Sequence, residues 1–147
     1  VRVDFEPVDP EYEARVRRSF ERQRYMSTLG VRLAGTSPGC AILEMSADDA
    51  LTQAPGVLHA GVCTALMNSA SVLAATTLVG PKTSVLAVEF KVDLLEPSQG
   101  VRFRAVAEVV SQGRTLTRCR ARLEALGGGR TRLVAQMATT LANVSGR

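Results

Sequence analysis

A chain of 147 residues with 46% hydrophobic content can fill one core and is too short for two ordinary domains, so a single domain over residues 1–147 is expected. Its net charge of +4 suits an anionic ligand, but 4% aromatic content, no tryptophan and no recognition helix argue against nucleic acid. Cys40, Cys63 and Cys119 stand at wide, unrelated spacings that fit neither a disulfide framework nor a metal site, and a single histidine argues against zinc catalysis.

The opening "VRVDFEPVDPEYEARVRRSF" is charged throughout and does not read as a signal peptide, so a cytoplasmic location is expected. An amphipathic helix is predicted over about 9–29, with Asp9 as N-cap, Pro10 at the first helical position and Gly30 just past the end. Val16, Phe20, Gln23 and Met26 mark its docking stripe. Two short strands, Val31 to Ala34 and Cys40 to Met45, read as a hairpin around "GTSPG". The stretch "SADDALTQAPGVLHAG" reads as a loop held against a helix start, a common location for function.

A central helix follows over about 61–79. No Lys, Arg, Asp or Glu occurs between Ala50 and Pro81, which raises the question of a membrane span. Thr64, Asn68, Ser69, Ser71, Thr76 and Thr77 answer against it, and a helix apolar nearly all round is expected to be wrapped by its own protein. Two residues in this region need explaining. They are His59, alone of its kind in the chain, and Asn68, a polar amide in an apolar run.

The period then switches to two. In "TSVLAVEFKVDLL", Leu86, Val88, Phe90, Val92 and Leu94 form a core series, with Glu89 and Asp93 on the opposite face. The runs "VRFRAVAEVV" and "TLTRCRARLEA" alternate likewise, placing Arg102, Arg104, Arg118, Arg120 and Arg122 on one face with Glu108 and Glu124. Cross-strand charge pairing is the plain reading of that face, and Lys82, Lys91 or one or two of the arginines are candidates for holding phosphates. A last apolar run spans Arg132 to Leu141. One buried helix followed by a long antiparallel sheet that covers it is an α+β architecture.

The ordered pieces "GVLHAG", the apolar helix and "VEFKVDLLEP", preceded by a helix, resemble the hotdog-fold thioesterases of the phenylacetate-pathway (PaaI) type, over about Arg15 to Ala142. The resemblance implies a sheet wrapped around the central helix, a homodimer or tetramer whose sheets join, and acyl-CoA sites between subunits. It implies hydrolysis of an acyl-CoA thioester to a carboxylic acid and CoA, with no cofactor beyond the CoA of the substrate. By position, the backbone N–H of Ala60 would polarise the thioester carbonyl, Gln53 would hold a carbonyl or water, and His59 would flank the site. Position 68 would come from the other subunit. A helix N-terminus independently suits an oxygen that gains negative charge. Gly61, Val62, Ala65, Leu66, Ser69, Leu73 and Ala87 are candidates to line the substrate pocket.

Two positions depart from the family at the reacting centre. Asn68 stands where the family has a catalytic Asp or Glu, and Ala87 where it often has Ser or Thr. An amide cannot accept a proton from water at neutral pH, which forgoes general-base help of about 10²- to 10⁴-fold. Three accounts stay open: a weak or non-hydrolytic acyl-CoA binder, a base supplied by another residue with His59 as candidate, or an asparagine introduced to trap substrate. From the residues alone, His59 as a plain helix cap, Asn68 as a structural interface amide, and a structural or regulatory dimer without a CoA site also stand. The absence of a G-x-S-x-G elbow or a Cys/His pair leaves covalent catalysis without support.

Overall fold

The charge-free run after Leu58 has no polar face to offer water, and in the computed structural model, which describes residues 3–146, it forms the one long helix of the fold. The elements in chain order are α1 Tyr12–Glu21, α2 Arg24–Thr28, β1 Arg32–Ser37, β2 Cys40–Ser46, β3 Thr52–Ala54, β4 Val57–Leu58, α3 Ala60–Thr76, β5 Thr83–Leu94, β6 Arg102–Gln112, β7 Leu116–Gly127 and β8 Arg130–Ser145. Six strands make one sheet in the order β1-β2-β6-β7-β8-β5, every neighbour antiparallel. Eleven of the 17 residues of α3 are buried, with Cys63, Leu66, Met67, Ala70 and Leu73 fully enclosed beside Leu43, Phe103, Leu123 and Leu141 of the sheet. This is the expected α+β hotdog fold, an antiparallel sheet around a central helix with helical segments leading in.

Local readings change in both helices and in one strand. The helix expected over 9–29 is two pieces, because Gln23 leaves the helical region with ψ 85°. Ten residues of unbroken helix would set Val16 and Met26 about 80° apart around the axis, and the break lets both bury fully. Asp9 is not the N-cap. Its Oδ1 accepts from the Glu11 N–H at 2.9 Å, ahead of a helix that begins at Tyr12. The central helix ends at Thr76 rather than Val79, where the Thr77 hydroxyl donates to Ala74 O and accepts the N–H of Gly39 at 2.7 Å.

The strand that changes is β5. A bulge between Ala87 and Glu89 shifts the pairing with β8, so Ala87 opposite Leu141 shares the helix-facing side with Phe90 opposite Thr139 and Val92 opposite Met137. Leu86, expected in the core series, falls with Glu89, Lys91 and Asp93 on the outer side. β5 is also an edge strand, and Leu86, Val88, Phe90 and Leu94 are 48 to 61% exposed.

The C-terminal end of α3 is closed by α1. Arg15 donates to Gly80 O at 2.6 Å, to Thr76 O at 2.9 Å and to Val79 O. Its Nε lies 3.2 Å from Asp9 Oδ2, near enough for charge contact but without the alignment of a hydrogen bond. Carbonyls at a helix end otherwise lack partners, and a cation there also suits the helix dipole. Replacing Arg15 by Met is expected to lower unfolding free energy by about 2–4 kcal/mol, since hydrogen bonds from a charged donor are worth about 1.5–3 kcal/mol each and do not add fully. Urea denaturation measures it, and amide exchange is expected to accelerate first near residues 77–80.

Candidate active site

The N-terminus of α3 is held by the segment expected to be loop, which in fact folds into a small hairpin. β3 and β4 pair across a turn in which Gly56 takes φ +74°, a value that L side chains rarely adopt. The His59 N–H donates to Leu51 O and the Leu58 N–H to Ser98 O, both at 2.9 Å, which fixes where the helix begins.

His59 is the N-cap. Its Nδ1 accepts the Gly61 N–H at 2.8 Å, and a neutral imidazole bonded this way carries its proton on Nε2. A Cβ on Gly61 would lie 2.9 Å from that Nδ1, so glycine is what lets the ring fold back over the helix end. Gln53 reaches the same end from β3, its Oε1 accepting the Ala60 N–H at 3.0 Å. Two of the free donors of the first turn are thus engaged by exposed side chains that can move. Beside them lies an open cleft of about 420 Å³, lined by Gln53, Ala54, Val57, Leu58, Ala60 and the run from Leu94 to Ser98.

Asn68 is not in this cleft. Eight residues along an α-helix advance about 12 Å, too far for Ala60 and Asn68 of one chain to touch one carbonyl group. Asn68 is half-buried on the side of α3 turned from the sheet, in a stripe with Gly61, Thr64, Ala65 and Val72, and its Oδ1 is buried without a hydrogen-bond partner among the described residues. A buried amide oxygen without a partner is rare. Gln53, His59, Ala60 and Gly61 therefore come together, while Asn68 and Ala87 stand apart from them in the single chain. Of the expected pocket-lining residues, Leu66 and Leu73 are fully buried core and Val62 and Ser69 are nearly so, which leaves Gly61, Ala65 and the separate Ala87 accessible.

Ser98 is a residue the sequence did not point to. Buried at 5% exposure, it closes the floor of the cleft, and its Oγ lies 3.3 Å from Cys63 Sγ. Its only sequence cue is its place after Pro97, where "EPSQG" reads as a turn. Burial pushes the Cys63 thiol up and the Cys119 thiol up to about 12, so neither is poised as a thiolate. Among the described residues no three His, Cys, Asp or Glu gather to hold a metal, and no helix is long and apolar enough to cross a membrane.

A family model described as the thioesterase superfamily matches residues 55–131, from the β3–β4 turn into β8. The chain is 45% identical to a thioesterase family protein of Silicibacter pomeroyi, covering 92% of this chain and 99% of that one, with a TM-score of 0.90. It is 25% identical to a putative esterase of Mycobacterium tuberculosis, covering 84% and 98%, with a TM-score of 0.76. A thioesterase of Haemophilus influenzae shares the fold at 20% identity, covering 86% and 87%, with a TM-score of 0.78. No curated protein sequence matches the chain.

The His59 cap gives a direct test. His59→Ala is expected to cost about 1 kcal/mol of stability, within the usual range for a lost N-cap, and Gly61→Ala to cost a similar amount by displacing the ring. If both act through one hydrogen bond, the double variant measured by urea denaturation loses little more than either single one.

Proposed function

Because the chain belongs to the thioesterase superfamily, we propose that it hydrolyses an acyl-CoA thioester to a carboxylic acid and CoA, at sites built between two copies. The observation that carries this reading is the contact between Gln53 Oε1 and the Ala60 N–H. A side-chain carbonyl oxygen already occupies, at 3.0 Å, the donor that a thioester oxygen would take. Substrate entry displaces Gln53 from Ala60, and the freed amide can then hold the attacking water. The Ala60 N–H and the dipole of α3 stabilise the oxygen as it gains charge, an effect worth about 2.7–4 kcal/mol for one such donor.

Two features support a shared site. The exposed edge of β5, with Leu86, Val88 and Phe90 open to solvent, offers a second copy the ladder that would continue the sheet. The roughly 12 Å between Ala60 and Asn68 along α3 separates the two within one chain, which supports position 68 serving the helix end of the other copy. The unpartnered Asn68 Oδ1 is then satisfied there by substrate or water.

Proton removal is the weak step. Asn68 has no basicity, and His59 Nδ1 already accepts from Gly61, so the imidazole acts as a base only if it gives up the helix cap. These facts favour a second reading, a protein of the same fold that binds acyl-CoA and turns it over slowly or not at all. Thiol release from aromatic and aliphatic acyl-CoAs separates the two. Asn68→Asp is expected to raise kcat by about 10²- to 10⁴-fold, the range for general-base assistance. Equal rates would instead move the base to His59. Silence from both variants, with calorimetric binding of a non-hydrolysable acyl-CoA, would leave the binder, and no binding at millimolar ligand would leave neither.

A further inference from the structure

The connection from β5 to β6, residues 95–101, is fixed to the end of the sheet along its length. The Leu95 and Glu96 N–H groups both reach Val134 O of β8, at 2.9 and 3.2 Å. Val101 donates to Leu126 O of β7 at 2.8 Å, and its own carbonyl accepts the Ala47 N–H at 2.9 Å. Gly100 lies so close to β7 that a Cβ there would stand 3.1 Å from Leu126 O and 3.2 Å from Ala125 Cβ. Arg132 of β8 spans the middle of the connection, its Nη1 donating to Glu96 Oε2 and its Nη2 to Gln99 O, both at 2.7 Å. A planar guanidinium held at two points fixes a direction as well as a distance.

Ser98 is where this anchored segment grips the helix start. It is buried while Pro97 and Gln99 on either side are exposed. Its backbone oxygen accepts the Leu58 N–H at 2.9 Å, two residues before Ala60, and its Oγ lies 3.3 Å from Cys63 Sγ, three residues after. Ala60 is thus bracketed by two contacts to one residue, within a single turn of helix. Burial keeps Cys63 a thiol, so an S–H is present to donate to the serine oxygen. On the other side of the Ala60 N–H, Gln53 comes from the β3–β4 hairpin, whose residues 53–56 are exposed. One wall of the cleft can yield to a ligand, and the wall carrying Ser98 is tied to three strands.

We propose that Ser98 is a positioning residue for acyl transfer: it sets the direction of the Ala60 N–H through Leu58 and Cys63, and Arg132 holds Ser98 in place from outside the cleft. This rests on the reading of the cleft as a thioesterase site. A donor that stabilises an oxygen as charge develops has to be aimed before substrate arrives, and a displacement of about 1 Å costs about 10²-fold in rate.

Steady-state thiol release from aromatic and aliphatic acyl-CoAs, with the chain and with Asn68→Asp as parents, tests this beside urea denaturation of each variant. Ser98→Ala and Cys63→Ala each remove the side-chain contact and are expected to lower kcat about tenfold with KM changed less than about twofold, because aim is felt in the transition state more than in binding. The double variant is expected to lose no more than either single one, and Cys63→Ser, which keeps a donor to Ser98, to retain the parent kcat. Arg132 is exposed and does not line the cleft, so Arg132→Gln is expected to lower kcat in the same direction by less, and it alone decides if the core variants unfold. Additive losses in the double variant would overturn the proposal, since Ser98 would then act on substrate itself. Unchanged kcat in Ser98→Ala and Arg132→Gln would overturn it and leave the thioesterase reading intact. No thiol release from either parent would remove that reading, and the proposal with it.

Discussion

Everything in this fold answers to one constraint: α3 is apolar nearly all round and must be enclosed, yet both of its ends carry backbone groups that need partners. The sheet encloses it on one side through Leu43, Phe103, Leu123 and Leu141. The ends are met by residues from outside the sheet. Arg15 of α1 closes the C-terminal carbonyls, and Gln53 and His59 close the first donors. The two closures differ in how easily they open. Arg15 is largely buried and bonded several times over, whereas Gln53 and His59 are exposed and bonded once each, so only the N-terminal end can be opened by a ligand.

That asymmetry ties stability to chemistry. A donor that binds an oxygen during acyl transfer must be free when substrate arrives, and a free donor at a helix end costs stability when nothing fills it. An exposed glutamine amide resolves the conflict, because it satisfies Ala60 in the resting protein and is cheap to displace. His59 is bound by the same logic in the opposite sense. As an N-cap it contributes to the helix, and any role as base draws on that contribution.

Much of this was legible in the sequence. The charge-free run to Pro81 marked the enclosed helix, and the period of two after Thr83 marked the sheet, because both patterns record which side of an element meets water. What escaped was the bulge at Val88, which inverts the facing of Leu86 and Ala87 and leaves no trace in composition. The break at Gln23 escaped for a similar reason, since a helical stripe continues through it in the sequence while the backbone does not. At the site, a lone histidine just ahead of an apolar helix is legible as a cap. Ser98 escaped, because a buried serine after a proline looks like any other turn until the chain is folded over it. The five outer-face arginines read as paired, yet Arg102, Arg118 and Arg120 form no hydrogen bond or ion pair among the described residues, since pairing depends on register across strands rather than on alternation within one.

The strand order carries a consequence for synthesis. β5 leaves the ribosome before β6, β7 and β8, yet its only partner strand among the described residues is β8, whose last residues pair with its first, Ser145 opposite Thr83. Until about sixty more residues have been translated, an apolar strand with Val85, Leu86, Val88 and Phe90 waits without a ladder, in the window when non-native pairing between nascent chains is easiest. The charges of Glu89, Lys91 and Asp93 interrupt that run on alternate positions, and so guard the nascent strand before they ever face solvent on a finished sheet.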